Sequence, residues 1–152
     1  MNISIHLITS IILTAILWPF IGPYSLWVMV GGYLIDFDHY IYAGFKFGMW
    51  GLRDSYNFHI HYLCKKAKKN REILHIFHTV EFWAFMIIMI FIAYHNDWTF
   101  IFYMFAITLL GMAMHVTLDV IGAIITNKLK IRAISMIWWI KKFLINKENS
   151  EK

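Results

Sequence analysis

Positive charge is missing from most of this chain: residues 1–45 and 72–127 hold no Lys or Arg. Charged residues of either sign make up only 15% of the sequence, there are two prolines, and Cys64 is the single cysteine. One cysteine excludes an internal disulfide and any cysteine-based zinc motif. No hydrophilic linker, internal repeat or low-complexity tract marks off a second globular domain. What fills the chain instead is apolar, with 60% hydrophobic residues, 18% aromatics and a mean hydropathy of +0.58. That excludes an ordinary soluble domain and points to an integral membrane protein.

The length suits about four spans. Ile3 to Trp18 is an apolar stretch stopped by Pro19, with Gly22 and Pro23 just beyond it. Met1 to Ile5 has no basic residue, and no small-residue cleavage site follows Trp18. We therefore expect a retained first span rather than a signal peptide. Tyr24 to Ile35 is the second stretch, too short to cross the layer before it meets Asp36-Phe37-Asp38-His39. Tyr40 to Tyr62 has the aromatic and glycine content of an irregular interfacial connection, and the alternating His59 and His61 read as a surface pair. Ile73 to Tyr94 and Trp98 to Thr126 are the third and fourth spans, antiparallel neighbours across a short polar turn in which Asp97 starts the following helix. Ile131 to Ile145 reads as an amphipathic helix with basic and Trp anchors, lying in the head-group plane. The expected fold is thus an all-α membrane bundle over residues 1–127, followed by an interfacial helix and polar tail over 128–152.

All 14 Lys and Arg lie between Lys46 and Arg71 or after Asn127. By the positive-inside rule both regions are cytoplasmic, as are both termini. Basic residues next to apolar segments suit anionic phospholipid better than nucleic acid, and Lys65, Lys66, Lys128 and Arg132 are the head-group candidates.

Against this apolar background nine ionisable residues stand out: His6, Asp36, Asp38, His39, His75, His78, Glu81, His115 and Asp119. Ionisable groups inside a span are candidates for function. His115 and Asp119 are one helical turn apart on one face, and His75, His78 and Glu81 at intervals of three would form a slanting polar stripe. Measured from the basic boundary at a helical rise, His6 lies about 7 Å deep, the His75 to Glu81 set about 4 to 14 Å, and Asp119 and His115 about 12 and 18 Å. Counted from the other side, Asp36 to His39 falls at about 12 Å. All nine are therefore expected in the inner half of the bilayer, in one pocket.

Buried imidazoles and carboxylates need compensation, since an isolated buried charge costs many kcal/mol or neutralises. Divalent cations provide it. Mixed His and carboxylate ligands suit zinc above all, with manganese or iron as alternatives, and this set is large enough for two or more ions. Such a site favours hydrolysis of a phosphoester, here of a membrane lipid or lipid-linked phosphate, with Asp38, Glu81 and Asp119 as candidates for the catalytic carboxylate roles.

Asp36-Phe37-Asp38-His39, His78-Thr79 and His115-Val116-Thr117-Leu118-Asp119, preceded by His6, together resemble the ordered signatures of the inner-membrane-associated metal-dependent hydrolases. The resemblance covers His6 to Gly122. It implies a helical bundle loosely similar to zinc-dependent phospholipase C, with Asp36, Asp38, His39, His78, His115, Asp119 and His6 as metal ligands. Two departures are Ile35, where the family usually has Pro, and the close His75 to His78 spacing. Other readings are a metal or proton transporter or sensor, a non-catalytic membrane adaptor, and a b-type haem protein ligated by His78 and His115.

Overall fold

A computed structural model describes residues 3–57, 75–125, 135–138 and 140–141. Cys64, the basic run from Lys65 to Arg71, Lys128, Arg132 and the polar tail lie outside the described residues. Among the described residues the secondary structure is helical, with no strand. The helices are α1 (Ile3–Ile21), α2 (Trp27–Gly32), α3 (Phe37–Phe47), α4 (Leu52–Asn57), α5 (Val80–His95) and α6 (Thr99–Ile125). Short 3-10 turns cover Gly22–Leu26, Leu34–Asp36 and Ile76–His78.

The chain divides into two units, one formed by residues 1–36 and 83–129, the other by 37–82 and 130–152. In the first unit α2 packs against both α1 and α6. The α1 helix runs through Pro19 to Ile21 rather than stopping at Trp18. Proline has a helical φ and forfeits a single N–H; the break comes instead at Gly22, whose φ of 52° suits glycine. Thr14 Oγ1 then donates across to Ser25 O at 3.4 Å, joining α1 to the returning turn. The expected second stretch is itself broken into turn, α2 and turn. Its glycines are what admit the close crossing with α6: a Cβ at Gly31 would meet Thr108 O at 1.9 Å.

The link from α5 to α6 is short, as expected, and Phe85–Phe105 and Tyr94–Phe102 ring contacts join the two helices. Asp97 does not start a helix in the usual way. It takes a φ of 55°, closing the α5 end while Trp98 N bonds Ala93 O at 2.9 Å.

In the second unit Tyr40 to Asn57 is mostly helical, not irregular. Gly44 makes room on α3 for the Trp50 ring, and Gly48 at φ 68° ends the helix, so the chain returns onto it. Tyr40 Oη–H donates to Trp50 O at 2.7 Å and fixes that return. The helix over the third apolar stretch begins at Val80, after an extended His75 and a 3-10 turn, and Ile73 lies outside the described residues. Thr79 is extended and its Oγ1 accepts from Phe82 N at 3.4 Å, an N-cap that sets the start. His75, His78 and Glu81 therefore do not share a helical stripe: His75 is extended, His78 sits in the 3-10 turn, and only Glu81 is on α5.

The distribution of polarity is inverted relative to a water-soluble protein. Among the described residues nine buried side chains are polar or charged and six are apolar, whereas Ile8, Ile12, Ile16, Ile87, Ile88 and Ile124 are exposed. Two helical stretches, Ile3–Phe45 and Thr99–Gly122, are long and apolar enough to cross a membrane.

Candidate metal centres

The first unit gathers His6 from α1, Asp36 from the turn after α2, and His115 and Asp119 from α6. The i,i+4 spacing holds in space: His115 Nε2 is 3.5 Å from Asp119 Oδ2. The other oxygen of the same carboxylate, Oδ1, is 3.2 Å from His6 Nε2. The two imidazoles stack face to face, with centroids 3.9 Å apart and planes 18° from parallel. Asp36 Oδ1 approaches the same His115 Nε2 at 3.3 Å. His6 and His115 are buried to 1% and 0% exposure and Asp119 to 8%.

A backbone carbonyl holds the His115 ring, and a side-chain hydroxyl bonds the main chain of His6. His115 Nδ1 bonds Gly32 O at 2.9 Å. Ser10 Oγ–H donates to His6 O at 2.6 Å, in the wall of α1 that faces Gly32. His6 Nδ1 is buried and makes no hydrogen bond among the described residues. One ligand atom from each of His6, His115 and Asp119 lies within 4.8 Å of the other two. Two imidazoles and a carboxylate are a donor set that zinc, manganese or iron accepts, with Asp36 adjacent as a further oxygen. The residues present therefore fit a divalent ion.

The second unit gathers Asp38, His39, His75 and His78 around one carboxylate. Asp38 Oδ1 is 2.7 Å from His39 Nδ1 and 3.7 Å from His75 Nδ1. Its Oδ2 is 3.3 Å from His78 Nδ1 and also accepts from Phe77 N at 3.3 Å. His39 and His75 stack at 3.7 Å, and His78 meets both rings edge-on. Asp38, His39 and His75 present ligand atoms within 4.8 Å of one another, a second donor set that could hold an ion.

Eight of the nine candidates thus fall into these two groups, each described within its own unit. Glu81 falls in neither. Its carboxylate accepts from Ser135 Oγ–H, from Met136 N at 2.9 Å and from Ile137 N at 3.1 Å, closing the N-terminus of the helical turn at 136–138. That carboxylate at a helix start is a structural clamp, and nothing in the spacing of His75, His78 and Glu81 announces it. Sequence reasoning also missed Thr79 as a cap and Gly32 as a hydrogen-bond acceptor. Thr79 was findable as a Thr directly before an apolar run. Gly31-Gly32 announces close backbone approach without saying which carbonyl is used.

The chain matches no protein-family model, no curated protein and no solved structure.

Proposed function

We propose that the chain is a membrane-embedded, metal-dependent hydrolase acting at the cytoplasmic leaflet on a phosphoester of a phospholipid or lipid-linked phosphate. One observation carries this reading above the others: His6, His115 and Asp119, far apart in sequence, place two imidazole nitrogens and a carboxylate oxygen within 4.8 Å of one another in a buried position. The exposed isoleucine faces of α1 and α5 support immersion in lipid, where polar residues belong in the protein interior. On this reading the chain crosses the inner membrane about four times with both termini inside, an amphipathic helix follows, and the resemblance to inner-membrane-associated metal-dependent hydrolases reflects shared chemistry.

A bound divalent ion supplies Lewis acidity toward a phosphoryl oxygen and lowers the pKa of a water. The protein's own residues do the rest. The two oxygens of Asp119 lie against the Nε2 edges of His6 and His115, so that carboxylate and imidazoles would offer their ligand atoms to one shared ion. Asp36, with a side chain 22% exposed against 7% for Asp119, is the more accessible carboxylate of this group and is assigned to take the proton from the attacking nucleophile. In the second unit three imidazole Nδ1 edges gather about the two oxygens of Asp38, and Asp38, His39 and His75 would hold a second ion. Lys65, Lys66, Lys128 and Arg132 would concentrate anionic head groups at the surface. Glu81, engaged as a clamp, takes no part in the chemistry.

The test is a head-group release assay on a panel of phosphate-bearing lipids, using the full chain in lipid vesicles with zinc, with manganese and with chelator. Metal-dependent cleavage is expected, abolished in Asp119→Ala. A metal-loaded protein that turns over no lipid in a broad panel would replace this reading with that of a non-catalytic adaptor.

A further inference from the structure

The Gly32 carbonyl has no role in the chemistry above, yet it lies against His115, and Gly31 and Gly111 sit where α2 crosses α6. We infer that Gly32 is the positioning residue for His115, that its carbonyl commits His115 to bind a cation through Nε2, and that Gly31 and Gly111 are required for this. The inference rests on the first unit's group being a metal site.

A carbonyl oxygen can only accept, so the 2.9 Å contact between His115 Nδ1 and Gly32 O requires the hydrogen to be on Nδ1. The other nitrogen, Nε2, faces Asp36 Oδ1 at 3.3 Å and Asp119 Oδ2 at 3.5 Å, and is the one left to offer a lone pair. A metal-binding imidazole whose second nitrogen is tied to a backbone carbonyl is held in both tautomer and ring orientation. Gly32 is the last residue of α2, and carbonyls in the last turn of a helix lack partners within it. The helix end thus presents an acceptor that a residue on another helix can use.

Only a very close crossing delivers that carbonyl. A Cβ at Gly111 would meet Val28 O at 2.6 Å and Gly32 N at 2.9 Å; at Gly31 it would meet Thr108 O at 1.9 Å and Met112 N at 2.8 Å. The opposing atoms are backbone and cannot swing aside as a side chain can. A methyl at either position must move α2 away from α6, and a shift of roughly 1 Å takes the His115 contact out of hydrogen-bond range. The ring would then be free to turn its Nε2 from the cation.

The experiment uses the full chain in detergent, labelled with ¹⁵N in histidine, with and without zinc. His115 signals are assigned by their loss in His115→Gln. The expected spectrum has hydrogen on Nδ1 and zinc on Nε2. Zinc affinity, measured by competition with a chelator, is expected to fall about 10- to 100-fold in Gly111→Ala and Gly31→Ala. Met86→Ala, which opens the same unit's core on α5, serves as the control for general destabilisation. Zinc on Nδ1 of His115, or an affinity loss in both glycine variants no greater than in Met86→Ala, overturns the inference while leaving the metal site standing. If the glycine variants do not fold, the wild-type spectrum decides alone. A wild type that binds no zinc overturns both this inference and the proposed function.

Discussion

The two His and Asp groups are built from similar residues in opposite ways. In the first unit the imidazoles turn their Nε2 edges to a carboxylate and come from long helices, and His115 is braced by Gly32 O. In the second, three imidazoles turn their Nδ1 edges to Asp38 from the start of α3, an extended residue and a 3-10 turn. An Nε2 edge is far from its own backbone and can be braced from behind through Nδ1. An Nδ1 edge lies close to the backbone, so its position depends on the local turn. The first group is therefore set by helix packing, and the second by the conformation of short segments hung on one carboxylate.

The largest expected effect breaks the first group alone. On the proposed function, His115→Ala should lower the metal content of the purified chain by about one equivalent without emptying it, read by elemental analysis, and should abolish lipid cleavage in the head-group release assay. Next comes Asp38→Asn, which removes the charge shared by three imidazoles and disturbs the acceptor of Phe77 N. Exchanging a charged for a neutral acceptor on this part-buried donor costs about 1 kcal/mol, so this variant should melt earlier as well as lose metal. The pairing of these variants sharpens the contrast: the loss of stability should be greater for Asp38→Asn than its loss of metal alone accounts for.

Smaller effects are expected where short segments, rather than ligands, are altered. Thr79→Ala removes the cap that starts α5 directly after His78, and should cost about 1 kcal/mol. Because His75 and His78 lie on that turn, metal affinity in the second group should fall with it, and His115 signals should not move. Glu81→Gln should leave metal content unchanged. Its effect is expected in faster amide exchange at Met136 and Ile137, which Glu81 now holds.

The same contrast explains what could be read from the amino-acid order. His115 and Asp119 were legible as a pair because an i,i+4 spacing survives in any straight helix. His6 was legible through the depth argument and through its place ahead of the other signatures, and its Nε2 lies 3.2 Å from Asp119 Oδ1. The His75 to Glu81 stripe was misleading because it assumed helix continuing through Thr79, whose hydroxyl favours a cap over continuation. Helical α3 was hidden by aromatic residues that serve equally in belts and in helices. A backbone carbonyl has no letter of its own, so Gly32's role could not be read from spacing.

The central claim is that buried imidazoles and carboxylates in this apolar protein hold cations. Its most direct test is elemental analysis of the full wild-type chain after purification, before and after chelation, beside His115→Ala. The account predicts a stoichiometric transition metal in the wild type, removed by chelator and reduced in the variant. A wild-type protein that is normally folded and free of metal, and takes up none when it is supplied, would contradict it.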